Sequence, residues 1–377
     1  MEKTITLKTL KEDISYVCGS GDTLYTYYEQ SSEAFHDICK DLKNQGFKLY
    51  GKREINNNLF ATYVKGERMA HIYWIACESK INVVLSEENG ANLPAKEVGK
   101  EGHSYATSVT QLQSYEINGM GYVVQLADGS FLVYDGGYEH RVDELWDTLV
   151  TLKHGEEDIR IRAWVITHSH GDHYPCVTAF ADKYADRVTL EMVMIAPPTM
   201  DITNDKEELT YLNTRVKEDV SKFKNTKICY VYTGMCFTFC DVTMEILFTP
   251  DELYSSQMTK DFNNTSIVSR ICTDDRNMLF LADAGSSVAY KMALYYGDYL
   301  KSDMCQISHH GVEDFPLTVY RFIKAPVLWY PCDTSLYNLT NRDANVRAAL
   351  KNSKYTKEIL LHDKERFTRP LRGTKNL

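Results

Sequence analysis

The segment Val165-Ile166-Thr167-His168-Ser169-His170-Gly171-Asp172-His173 decides how the rest of the chain is read. An apolar run, Ile159–Thr167, leads into it as a buried strand, and the pattern after it predicts a helix from Pro175 to Tyr184. In α/β proteins such a strand delivers its loop to the carboxyl end of a sheet, where ligands bind. In extended chain His168 and His170 point the same way. Asp172 and His173 then stand at the helix entry, with Pro175 suited to the first turn. Four potential ligands within six residues, three imidazoles and a carboxylate, suit zinc or another borderline metal.

Working outward, residues 1–108 read as a small α+β unit. Ser31-Ser32-Glu33 can cap a helix with an apolar face of Ala34, Phe35, Ile38, Cys39 and Leu42, stopped by Gly46. β-rich runs follow at 47–54, 59–64, 69–77 and 81–85, divided by polar turns in the manner of a meander. The stretch 87–107, rich in Gly, Glu, Lys and Ser, is the expected linker. Residues 109–377 form the second unit. Strands are predicted at 115–117, 121–126 and 130–134, the last two joined by the hairpin signal Ala127-Asp128-Gly129. Helical and strand patterns then alternate to about residue 361, in two βα-rich halves that each begin with antiparallel strands. That order suggests a layered sheet sandwich with helices outside.

Composition narrows the function classes. The 377 residues carry 42 basic and 52 acidic side chains, a net charge of −10, and 44% are apolar. This is a globular chain. The acidic balance argues against nucleic acid as the main partner without excluding a local basic groove. No apolar run reaches the ~18–20 residues a membrane span needs, and Met1-Glu2-Lys3-Thr4-Ile5 lacks the basic head of a signal peptide. Ten scattered cysteines then read as reduced thiols, and a cytoplasmic location is expected. Cys236 and Cys240 lack the second pair that a structural zinc site requires.

Further motifs appear in order along the second unit. They are Ser130-Phe131-Leu132-Val133-Tyr134-Asp135-Gly136-Gly137, Asn264-Thr265-Ser266-Ile267-Val268, Met278-Leu279-Phe280-Leu281-Ala282-Asp283-Ala284-Gly285 and Ile307-Ser308-His309-His310-Gly311. With His168-x-His170-x-Asp172-His173 they resemble the motif series of the metallo-β-lactamase-fold hydrolases, over roughly residues 114–365. The His-His-Gly turn is similar to that of the branch holding ComEC-like domains and phosphorylcholine esterases. The resemblance implies a four-layer αβ/βα sandwich, an α/β (α+β) fold preceded by the small N-terminal domain. It implies one or two divalent ions, zinc first, with manganese or iron as alternatives. His168 and His170 would hold the first ion, Asp172 and His173 the second, with Asp283 bridging and His310 completing the second site. Asp172 is also the candidate for positioning or accepting a proton. His309 is taken as a substrate-facing donor; the reverse assignment of His309 and His310 is a matter of geometry.

Asp135 and Asp283 each follow an apolar strand, where a carboxylate is costly unless a cation or strong donors meet it. Asp135 is read as orienting a ligand histidine, or else as a turn residue; a helix cap is the structural alternative for Asp283. One departure stands out. Of eleven histidines, none but His309 lies between His173 and His310, where many relatives place a first-site ligand. Water or substrate could fill that position, the first site could be weak, or Asp251, Glu252 or Asn264 could substitute. Tyr174, where a small residue or glycine is more usual, narrows the pocket, donates a hydrogen bond or simply packs.

The implied reaction is hydrolysis by a metal-activated hydroxide, expected on phosphoric (di)esters that are small or exposed. His170 stands where the oxygen-reducing di-iron relatives tend to carry Glu, which argues for hydrolysis over redox. A lactonase or other carboxylic-ester or thioester hydrolase is the alternative on the same site. A non-catalytic metal-binding or sensing protein is the alternative from another class. The β-rich N-terminal unit offers an edge for homodimerisation.

Overall fold

The computed structural model describes residues 14–97, 104–200, 202–203, 209–254, 261–312, 315–340 and 343–372. These residues build three sheets. Two of them form the sandwich. One runs, in spatial order, Lys227–Tyr230, Met192–Ile195, Ile159–Val165, Phe131–Asp135, Gly121–Gln125, Ser108–Gln111 and Thr368–Pro370, with Val188–Leu190 pairing beside the start of Ile159–Val165. The other runs Cys236–Phe239, Val242–Phe248, Val268–Cys272, Asn277–Phe280, Met304–Gln306, Val327–Tyr330 and Glu358–Leu361. In each, antiparallel hairpins give way to parallel strands joined through helices, so helices cover the outer faces. This is the αβ/βα sandwich.

Packing follows from the strand sequences. Gly121–Gln125, Phe131–Asp135 and Met192–Ile195 are buried at every position, as strands covered on both faces must be. The outer face of the first sheet buries Val133, Trp164 and Ile195 under helices Val142–Lys153 and Pro175–Tyr184. Its inner face contributes Tyr122, Leu132 and Tyr134 to the core shared with Phe280 and Trp329 of the second sheet. Tyr134 stacks on Phe280 with ring centroids 4.0 Å apart.

The third sheet is N-terminal: Ile14–Val17, Thr23–Tyr27, Lys80–Ser86, Arg68–Ile75, Asn58–Lys65 and Lys48–Ile55, all antiparallel. Helix Ser32–Asn44 covers one face with Phe35, Ile38, Cys39 and Leu42, as its spacing predicts. Gly46 leaves it at φ 85°, the left-handed exit that Gly tolerates. The Ser31 side chain makes no capping hydrogen bond. The other face packs on the sandwich, placing Phe60, Met69 and Tyr73 in the shared core. Part of the stretch read as a linker is tied down there. Asn89 exchanges two hydrogen bonds with the Tyr230 backbone at 2.7 and 3.0 Å, and Glu97 pairs with Arg162. Residues 98–103 of that stretch lie outside the described ones.

One strand expectation is corrected. Residues 115–117 form a loop, with Tyr115 84% and Ile117 58% exposed. The pairing strand is Ser108–Gln111, whose largely polar sequence is nonetheless buried between Gly121–Gln125 and Thr368–Pro370. Three of its four side chains are polar, so it carries no apolar alternation to betray it.

Candidate metal centre

Four of the expected site residues converge. Asp172, His173, Asp283 and His310 offer ligand atoms that all lie within 4.8 Å of one another. They come from three places in the sandwich: the loop after Ile159–Val165, the turn after Asn277–Phe280, and the turn after Met304–Gln306. The contacts form a ring. His173 Nε2 is 3.2 Å from Asp283 Oδ2, which is 3.2 Å from His310 Nε2; that nitrogen is 2.9 Å from Asp172 Oδ2, and Asp172 Oδ1 is 3.8 Å from His173 Nε2.

Each inward nitrogen is aimed from behind. His173 Nδ1 donates to Asp135 Oδ2 at 2.8 Å, and His310 Nδ1 donates to the Pro331 carbonyl at 2.9 Å. Asp135 is itself held by the Thr167 amide (2.7 Å) and hydroxyl (2.8 Å). With Nδ1 committed as a donor, the proton either imidazole gives up to an incoming cation leaves from Nε2, the nitrogen aimed into the ring. Asp283 caps no helix: the following helix, Ser286–Tyr296, begins at Gly285.

The backbone around the ring is strained. Asp135, Ala282, His309 and His310 all have positive φ, between 45° and 54°. A non-glycine residue held there costs roughly 1–3 kcal/mol and persists only where its surroundings impose it. At the His-His-Gly turn the strain separates two neighbours. The His310 side chain is 1% exposed and faces Asp172 and Asp283; the His309 side chain is 19% exposed, with Nε2 3.4 Å from Asn263 Nδ2 and 3.8 Å from Asp283 Oδ2.

Electrostatics match a cation-seeking pocket. Burial works against charge on all four groups, yet they hold one another ionised. Asp283, Asp172 and Asp135 keep His173 protonated well above the usual histidine range, and Asp283 and Asp172 push His310 up to about 10. Against the same burial, His310 and His173 hold Asp283, and His173 and His310 hold Asp172, well below the ordinary carboxylate range. His168 and His170 go the other way: burial, then neighbouring imidazoles, keep both neutral.

The donor set fits a divalent cation. His173 Nε2, His310 Nε2 and Asp283 Oδ1 are buried without a hydrogen bond of acceptable geometry, and an orphaned buried polar atom calls for a partner. Two nitrogens and two oxygens with ~2.0–2.2 Å bonds to a tetrahedral ion would sit roughly 3.4 Å apart. The observed contacts run from 2.9 to 3.8 Å, with Asp172 meeting His310 through Oδ2 and His173 through Oδ1, and one donor atom from each residue lies within 4.8 Å of the others.

His168 and His170 adjoin this ring but fall outside it. Their Nε2 and Nδ1 face each other at 3.1 Å, and the His168 ring lies 4.1 Å from that of His173. Phe262 covers them, 5.3 Å from the His170 ring. None of the three proposed substitutes joins the group. Asp251 and Glu252 are engaged with the N-terminal sheet, and Asn264 Oδ1 accepts from the Gly285 amide at 3.1 Å. Tyr174 packs, stacking on Tyr211 at 3.6 Å. Sequence reasoning missed Asn118, which donates to Asp172 Oδ2 at 2.5 Å, because its loop was read as ending a strand.

Fold and motif order together define a metallo-β-lactamase-like sandwich. The family model of the metallo-beta-lactamase superfamily matches residues 116–225, a span that includes His168 to His173, and supports that superfamily for this chain. Its match stops short of Asp283 and His310. No curated protein matches the sequence. Similar solved structures include the metallo-beta-lactamase fold protein YhfI from Bacillus subtilis, 13% identical with a TM-score of 0.43, covering 70% of this chain and 99% of that one. CmlA, a diiron beta-hydroxylase from Streptomyces venezuelae, is 13% identical with a TM-score of 0.45, over 72% of this chain and 55% of its own. Igni18, a metallo hydrolase from Ignicoccus hospitalis, is 13% identical with a TM-score of 0.40, over 71% and 100%.

Proposed function

We propose that this protein is a metal-dependent hydrolase acting on phosphoric esters, with diesters as the preferred class. The observation that carries the reading is the closed ring of Asp172, His173, Asp283 and His310, whose inward nitrogens face carboxylate oxygens at 2.9–3.2 Å. These four residues would hold a divalent cation, and the neutral, adjacent His168 and His170 are suited to a second. A cation there supplies Lewis acidity and the power to ionise water near neutral pH.

The chain's own groups do the rest. Asp172 has its Oδ1 turned away from the Asn118 contact, where it can orient an attacking water and take its proton. His309, partly exposed at the mouth, can donate to a substrate oxygen as charge builds there. Burial of Asp135, His168 and Asp283 keeps bulk water from screening these interactions. The ester preference rests on the resemblance of the His-His-Gly turn to the phosphorylcholine-esterase-like branch.

The test is a panel of bis(p-nitrophenyl) phosphate, lactones and thioesters offered to protein loaded in turn with zinc, manganese and iron. Turnover of the diester, lost on His310→Ala, is expected. Cleavage of lactones or thioesters with the diester untouched would overturn the substrate class. A protein that retains metal but turns over none of them would overturn the enzyme reading.

A further inference from the structure

The loop between Ser108–Gln111 and Gly121–Gln125 is fastened on both sides of Asn118. Asp333 donates its amide to the Ile117 carbonyl (2.9 Å), Gly119 donates to Pro331 O (3.2 Å), and Met120 donates to the carbonyl of Asp172 (3.0 Å). Asn118 itself forms an isolated bridge with Cys332. From below, Arg141 Nη2 donates to Gln113 O at 2.8 Å, and His362 Nε2 donates to Glu116 O at 2.9 Å. A loop pinned at this many backbone atoms fixes the Asn118 Cα relative to Asp172.

The side chain uses that fixed position. A carboxylate only accepts, so the Asn118 amide must turn its Nδ2 toward Asp172 Oδ2, which it meets at 2.5 Å. That leaves Asn118 Oδ1 as an acceptor, and the Tyr138 hydroxyl donates to it at 3.0 Å. The Tyr138 ring is steadied in turn by stacking on His140, with centroids 5.7 Å apart. Asp172 Oδ2 therefore takes its direction from Asn118 on one side and His310 on the other, and the carboxylate cannot swing out of the ring without breaking the amide contact.

We propose that Asn118 is a positioning residue for Asp172, with Tyr138 setting the orientation of the Asn118 amide. The inference deepens the reading of Asp172 as a metal ligand and rests on it. Neither residue touches the cation or the substrate in this role; they act through the carboxylate. Partners of this kind typically contribute 10–100-fold to metal affinity.

The experiment is cobalt(II) titration of the full-length, chelator-treated protein, read by calorimetry and by the visible d–d spectrum. The variants are Asn118→Ala and Tyr138→Phe, and thermal unfolding of each metal-free protein is measured alongside. Asn118→Ala should bind cobalt about 10–100-fold more weakly with an altered spectrum, while its metal-free melting temperature stays within about 2 °C of wild type. Tyr138→Phe should shift affinity the same way by about 3-fold, since the amide remains but loses its brace. Wild-type affinity and spectrum in Asn118→Ala would overturn this inference and leave the metal-centre reading standing. An affinity loss matched by a large fall in metal-free melting temperature would overturn it too, as the mark of a general structural role. Should Asn118→Ala fail to fold, a wild-type spectrum and affinity in Tyr138→Phe would overturn the proposal. Failure of the wild-type protein itself to take up cobalt would overturn the functional reading and this inference together.

Discussion

Two buried clusters of charge sit in this molecule, and they are built on opposite plans. Where the N-terminal sheet meets the sandwich, Glu252 is fully buried between Lys80 (2.9 Å) and Lys291 (3.3 Å), with the Tyr295 hydroxyl donating at 2.5 Å. Glu245 is likewise held by Arg53 and Arg270. Burial alone would raise the Glu252 pKa; the two lysines hold it down to about 2. At the proposed metal centre, the ion-pair partners of Asp172 and Asp283 are imidazoles, and Asp172 also accepts from the neutral Asn118 amide. Lysine and arginine bring a permanent cation, so the interface cluster is complete as it stands. Histidine can give its proton up and present a lone pair instead. A buried carboxylate answered by fixed cations is architecture; one answered by aimed, titratable imidazoles is a site that receives its cation from outside.

The contrast can be broken most forcefully at the interface. Lys80→Met leaves Glu252 buried with one cation fewer and should cost about 3–5 kcal/mol, read from urea unfolding. Metal uptake by the folded fraction should be unchanged, and adding Glu252→Gln should recover part of the loss. The metal centre should respond in the reverse way. Asp283→Asn is expected to weaken divalent-metal affinity by more than about 100-fold, beyond the range of outer partners, while the protein stays folded. A fall in stability as large as that of Lys80→Met would erase the distinction.

A pH experiment probes the interface from a different side. His71 is buried between the Thr62 side chain and the Thr233 carbonyl, at 2.8 Å from each, and burial lowers its pKa to about 4. Its folded pKa lies below the ordinary 6.5, so its contribution to stability is present above pH 6.5 and is lost as pH falls toward 4. Wild-type protein should lose about 2 kcal/mol between pH 7 and pH 5 from this residue, and His71→Gln should remove that part of the slope. The smallest expected effect belongs to Asp135→Asn. It keeps the shape but misdirects the His173 tautomer, and about a 10-fold loss of metal affinity is expected by calorimetry.

Much of this was legible in the chain. The apolar strands leading to Asp135, His168 and Asp283 were plain from their largely apolar runs, and the resemblance to a known motif series grouped Asp172, His173, Asp283 and His310, with His168 and His170 beside them. What escaped detection shares one physical cause. Ser108–Gln111, Thr368–Pro370 and the Asn118 loop owe their places to tertiary pairing with distant segments, and their own side chains carry no periodicity. Asp251 and Glu252 looked like spare ligands because a sequence cannot show that Tyr73 and Lys80, some 170 positions earlier, already claim them. Nor does it show that Phe262 lies against His168 and His170.

The most direct test of the central claim is calorimetric titration of the metal-free protein with zinc near pH 7, repeated in buffers of different ionisation enthalpy. Since His173 and His310 hold protons that a cation must displace, binding of at least one zinc per chain with net proton release is expected. Binding should be weaker in His310→Ala, and the release per zinc smaller, because His173 alone then has a proton to give up. Zinc that binds without releasing protons, or that binds equally well to His310→Ala, would contradict the claim that this ring of imidazoles and carboxylates is the metal centre.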